Sequence, residues 1–416
     1  MRAFRVLRVT WRLIVLTAVL ACASAVLVAG CSSTGPDVSN GPQMAPALNP
    51  IPVPMPTIAA PVWDARGELV TNEPLTNLDS SVRDLAGDAR RATYRSTSGT
   101  TGAGTEVSGI FFIPKGDPPQ DGWPVISVAH GVTGLMEDCG PSTHPDLLGL
   151  STIVAGALSL RTAVAATDYE GLGTPGRHPF LEPRTAGFNV IDAVRALRNV
   201  FPGISTRWLA YGQSQGGQAS WAANELSGPY GGGLDLLGAV ALAPAANVSG
   251  LAENAFSGRL SALQVQLMPI VVTAIQRSFP GVPVDHLLHG IALQSADEMI
   301  GCGPAADEAR AKLSPADVKP STQADADSLA DSLRKMALPQ GPVSAPMIVV
   351  SGARDDVIPP AWISFAVGQS CRSGGTIEYS EQEGADHGQV GPDPRVLTWI
   401  TDRLANKPAT SNCTAR

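Results

Sequence analysis

Basic residues are scarce in this chain once its first dozen positions are passed. Arg2, Arg5, Arg8 and Arg12 all precede an apolar run, and without them 25 Lys and Arg face 37 Asp and Glu, a balance of −12. That balance argues against a nucleic-acid partner, whose phosphates call for a basic face. Internal repeats and coiled-coil heptads are absent, which excludes solenoids, propellers and zippers. Histidines number only six. His286 and His289 stand three apart, but no nearby Cys or second acid completes a metal site, so neither a metal nor an organic cofactor is expected. What is present in quantity is apolar: 44% of 416 residues, enough for a large buried core in one domain carrying an elaborated cap.

The N-terminus has a basic start followed by WRLIVLTAVLACASAVLVAG, an apolar run ending in small residues just before Cys31, the layout of a secretory signal over residues 1–30. Val28-Ala29-Gly30-Cys31 resembles a bacterial lipobox, which makes Cys31 a candidate lipidation site and the membrane a partner through that anchor. Residues 31–62 are rich in Ser, Pro and Gly with few charges, a composition that favours an extended spacer over packed structure. The expected protein is therefore exported and held at the outer face of the cell envelope, or else secreted, with its folded domain over residues 63–416. Four cysteines remain, Cys139, Cys302, Cys371 and Cys413, and outside the cytosol four suggest two disulfides. Three pairings are possible; order along the chain favours Cys139 with Cys302 and Cys371 with Cys413.

Past residue 90, short β-rich runs alternate with helical stretches, the pattern of a mostly parallel, doubly wound sheet covered on both faces. TEVSGIFFIP, WPVISVAHG, RTAVAATDY, RWLAYG, LLGAVALAP, APMIVVSG and GTIEYSEQ read as strands. AGFNVIDAVRALRNVF, ASWAANEL and PRVLTWITDRLANK read as helices. About ninety residues between LAPAANVSG and APMIVVSG break this rhythm and read as mainly helical, so residues 250–342 are the candidate cap or lid.

Chemistry concentrates at YGQSQGG. A serine hydroxyl attacks only when a base takes its proton and the chain holds it clear. Gly-x-Ser-x-Gly between the strand RWLAYG and the helix ASWAANEL meets the second need, because Gly212 and Gly216 allow a sharp, strained turn under Ser214. For the base, His387 stands in a loop between the last strand and the closing helix, where a doubly wound sheet delivers residues to the carboxyl ends of its strands. The orienting carboxylate is Asp355, in GARDDVIPP after the penultimate strand, with Asp356 as a solvated neighbour suited to capping the next helix. The order Ser, Asp, His is that of an α/β-hydrolase. Two N–H donors are needed for an oxyanion: Gln215, the residue after the nucleophile, and Val132, in the turn opened by Gly131.

At AHGVTG, EDCGPS, ATDYEGLG, YGQSQGG, SGARDDVIP and ADHG, spread from residue 129 to 388, the chain resembles the secretory lipase family of α/β-hydrolases, the group of the fungal lipase A type. The resemblance implies ester hydrolysis on acyl or lipid substrates, a helical lid before the penultimate strand, and Ser214, Asp355 and His387 as the triad. It also implies the pairing of Cys139 with a lid cysteine, here Cys302. An envelope acyltransferase would use the same triad, and a surface binding protein could keep the fold without turnover. A peptidase is disfavoured, because no propeller-like region precedes the catalytic half. Neither acyl length nor oligomeric state is written in the residues.

Overall fold

The computed structural model describes residues 44–279 and 283–413. The signal segment, Cys31 and the first part of the spacer lie outside the described residues. Nine strands form one sheet in the order β1-β2-β3-β5-β4-β6-β7-β8-β9. They are β1 (Leu69–Pro74), β2 (Ala86–Thr97), β3 (Gly104–Pro114), β4 (Trp123–Ala129), β5 (Ala163–Thr167), β6 (Ile204–Gln213), β7 (Asp235–Leu242), β8 (Met347–Gly352) and β9 (Ile377–Gln382). From β5 through β4 to β9 every pairing is parallel, while β1, β2 and β3 are antiparallel to their neighbours.

The sequence explains this division. All five residues of β5 and all six of β8 are buried, and both strands are runs of small or β-branched apolar residues, as strands covered on two faces must be. β1 is LVTNEP, exposed along nearly its whole length and ended by Pro74, which suits an edge. One apolar cluster gathers Trp208, Trp221 and Phe188; a second gathers Ile126, Val164 and Trp399. Trp208 and Trp221 are fully enclosed, and truncating a tryptophan so placed costs about 3–5 kcal/mol. The long helix Pro183–Val200 starts where Glu182 accepts from the Arg184 and Thr185 N–H groups, with Pro183 at its first turn.

The interruption expected at 250–342 is helical and lies between β7 and β8, with Ala262–Ser278 and Gln323–Met336 as its longest helices. Its middle is bound to the loop after β4 by the Cys139–Cys302 disulfide and by Leu135 N–H donating to Ile300 O at 2.7 Å. Its return is pinned by Asn224 and Glu225 of the helix Gln215–Tyr230. Asn224 Oδ1 accepts from Ser344 and Ala345 N–H, and Glu225 Oε2 accepts from Gln340 and Gly341 N–H. Burial pushes the Glu225 carboxyl up to about 8. The second disulfide, Cys371–Cys413, fastens the C-terminal tail.

The spacer differs from its expectation over its second half. From Met44 the backbone is extended, yet it lies against the domain with Ala45 and Ala47 buried. Ala45 N–H donates to Asn254, Trp362 Nε1 donates to Ala45 O, and Val53 N–H donates to Gln340. Arg334 and Asn247 donate to the carbonyls of Asn49 and Leu48. A Pro-rich segment has few N–H groups to satisfy internally, so side chains of the domain serve its carbonyls instead. The compact unit therefore starts at Met44, before the boundary at 63.

Candidate active site

Ser214 occupies the turn between β6 and the helix Gln215–Tyr230 with φ +59°, a left-handed conformation rare outside glycine. The turn closes only because its neighbours lack side chains. A Cβ on Gly212 would lie 2.1 Å from Gly216 O, and one on Gly216 would lie 1.9 Å from Ala129 O. Ser214 N–H donates to Leu242 O, and its carbonyl accepts from Gln218 and Ala245 N–H, so the strained residue is held from three sides.

His387 begins a short 3₁₀ turn after β9, closed by reciprocal bonds between Asp386 and Gln389. Its Nε2 lies 3.0 Å from Ser214 Oγ and its Nδ1 2.7 Å from Asp355 Oδ2. Asp355 is buried, and its other oxygen accepts Val357 N–H at 2.9 Å and Ile358 N–H at 2.8 Å. The tight Asx-type turn is thus made by Asp355 itself. Asp356 is exposed, and the helix Pro360–Arg372 has no side-chain cap, which corrects the capping role expected for that residue. Ser214, His387 and Asp355 stand beyond the carboxyl ends of β6, β9 and β8, the side where parallel sheets place their sites.

The two glutamines beside Ser214 serve as braces. Gln213 Nε2 donates to His387 O at 3.2 Å, which ties the histidine loop to the serine turn. Gln215 Nε2 donates to His178 Nε2 at 2.9 Å, while His178 Nδ1 donates to Glu170 O. Burial lowers the His178 pKa to about 3, so the ring is neutral and its Nε2 is free to accept. The His130, Tyr169 and His178 rings lie in a row, with centroids 4.5 and 5.7 Å apart. His130 Nδ1 lies 2.6 Å from Gly131 O, and Tyr169 OH donates to His130 O. Asp168 accepts from Ser108 Oγ, Ser142 N–H and Ser142 Oγ, which fixes the loop holding Cys139. Gln213, Gln215, Asp168, Tyr169 and His130 fall within the motifs YGQSQGG, ATDYEGLG and AHGVTG, yet their bracing roles were not foreseen, and His178 stands outside every motif.

Gln215 directly follows the serine and opens the helix, Val132 lines the same cleft as Ser214 and His387, and a Cβ on Gly131 would come within 4.0 Å of Ser214 Cβ. The cleft has a volume of about 530 Å³ and runs between the loops after β4 and the cap helix Ala262–Ser278. His286 and His289 are engaged elsewhere, with Asp325 at 2.9 Å and Lys319 O at 2.8 Å. Among the described residues Asp138, Cys139 and Cys302 bring three potential metal-ligand atoms together, but both sulfurs are spent in the disulfide.

A strained serine between strand and helix, with carboxylate and histidine delivered in that order by the last two strands of a nine-stranded sheet, defines an α/β-hydrolase. The chain belongs to the secretory lipase family, whose family model matches residues 149–300 and 315–412. A Mycobacterium tuberculosis relative named "probable inactive lipase" is 26% identical over 354 residues, 78% of this chain and 75% of its own length. Among solved structures, Candida antarctica lipase A superposes with TM-score 0.69 at 16% identity, covering 87% of this chain and 89% of that one. The rice cell wall degrading esterase LipA from Xanthomonas oryzae gives TM-score 0.64 at 18% identity, covering 82% of this chain and 97% of its own. At such identities the structural likeness establishes the fold.

Proposed function

We propose that the protein is an exported serine carboxylic-ester hydrolase. The observation that supports this reading most directly is the hydrogen-bonded line from Asp355 through His387 to Ser214 at the wall of an open cleft. His387 Nε2 takes the Ser214 proton as Oγ attacks the ester carbonyl, and Asp355 steadies the imidazolium through Nδ1–H. The developing oxyanion is received by the N–H groups of Gln215 and Val132. Collapse of the intermediate breaks the bond to the alcohol, which leaves with the proton from His387. Water activated by His387 then releases the acid from the acyl-enzyme.

Export accords with the family's description as secretory and with the signal layout of residues 1–30. In this reading Cys31 carries the lipid that anchors the chain to the envelope membrane. Among the described residues no helix is long and apolar enough to cross a membrane. The test is labelling of the mature protein with a fluorophosphonate probe beside Ser214→Ala, followed by hydrolysis of p-nitrophenyl butanoate. Labelling that vanishes in the variant, with activity reduced about 10⁴- to 10⁶-fold, is the expected result. A folded protein that takes up no probe would instead be a binding protein on a hydrolase scaffold. Acyl transfer to an added polyol in place of water would identify an acyltransferase.

A further inference from the structure

Two consecutive leucines, the second of them in the wall of the cleft, adopt a backbone conformation that leucine disfavours. Leu147 has φ +53° and Leu148 φ +47°, ahead of Gly149 at +88°. For residues with a branched side chain this left-handed region brings Cβ against the neighbouring carbonyl, so each must be held there by its surroundings. Asp146 supplies much of the hold. Its carboxylate accepts Leu148 N–H at 3.2 Å, and its carbonyl accepts Gly149 N–H at 3.1 Å and the Ser151 hydroxyl at 3.3 Å.

The two leucines differ in what the strain achieves. Leu147 is fully buried in the apolar cluster around Val154 and Leu158, and that burial accounts for it. Leu148 belongs to neither apolar core. Its side chain lines the cleft that holds Ser214, in company with Val132, Leu263, Leu267, Ile270 and Val357. A strained residue that contributes to no core and lines the cleft of Ser214 has its explanation in the site.

We infer that Leu148 is a specificity-determining residue that closes the apolar part of the cleft and restricts the enzyme to esters of short acyl chains. The inference rests on the ester-hydrolase reading of the site. The apolar lining of the cleft brings Leu148 together with Leu263, Leu267 and Ile270 of the cap helix.

The test compares kcat/KM for p-nitrophenyl butanoate and p-nitrophenyl dodecanoate in the unaltered enzyme and in Leu148→Gly, with melting measured alongside. Glycine adopts φ +47° without penalty. The expected result is a dodecanoate-to-butanoate ratio raised at least about tenfold, the discrimination of one or more methylenes, and a melting midpoint that does not fall. Leu148→Phe, which fills the cleft, is expected to lower the ratio and guards against misfolding of the glycine variant. An unchanged ratio in both variants, with butanoate still hydrolysed, overturns the role of Leu148. A midpoint several degrees lower with the ratio unchanged makes it a packing residue. If the unaltered protein hydrolyses neither ester and Ser214 takes up no fluorophosphonate, the ester-hydrolase reading fails first and this inference with it.

Discussion

Asp355 divides its carboxylate between two tasks: one oxygen closes its own turn on the Val357 and Ile358 N–H groups, and the other faces His387 Nδ1. An asparagine there would keep its oxygen on the backbone donors and turn its NH₂ toward Nδ1. Nδ1 would then have to accept, the proton would move to Nε2, and the base would be lost while the turn survived. Asp355→Asn is therefore expected to reduce kcat about 10⁴-fold with unchanged circular dichroism. Much of this was legible in the residues, because Ser214 stands in a glycine-pinched turn and Asp355 and His387 each follow a strand end at the carboxyl edge of the sheet. The braces were not. Gln213 meets His387 across 174 positions and Gln215 meets His178 across 37, and no local pattern encodes such partners.

Among the elements, the central strands announced themselves because burial on two faces demands apolar runs. β1 and the start of β2 did not, since an exposed edge tolerates LVTNEP and a charged AGDARRAT. The helix following Ser214 depends on an element that the sequence left anonymous, the segment carrying His178. Its ring must stay neutral to accept from Gln215, and its pKa near 3 lies below the 6.5 of an unburied ring. Between those values the unfolded chain binds more protons than the native one, so stability rises with pH across the window and drains away as pH falls from about 6.5 toward 3. Replacing His178 with Gln removes this contribution. Denaturant midpoints at pH 7 and pH 4 should then show the unaltered protein losing on the order of 1–3 kcal/mol more than the variant.

At the scale of the molecule, the Cys139–Cys302 bridge and the Leu135–Ile300 bond attach the middle of the cap beside the cleft, while Asn224 and Glu225 pin its return. The cap's existence was readable as a break in the alternation of strands and helices. The docking of residues 44–58 was not, because their composition reports backbone extension and says nothing of what lies beneath. A chain starting at Met44 is expected to melt like the mature protein. One starting at Ala59 should lose about 1–4 kcal/mol in chemical denaturation, since Trp362, Asn254 and Asn247 give up hydrogen bonds to the strap worth about 0.5–1.5 kcal/mol each.

That same strap carries a consequence for the order of events during biosynthesis. Ala45 waits for Trp362, 317 positions later, and Asn49 for Gln369, 320 positions later. Asn247 and Asn254, which also hold the segment, come about two hundred positions later, so its full seat is complete only when the helix Pro360–Arg372 has been made. Until then its docking is incomplete, and its final placement is among the last steps of folding.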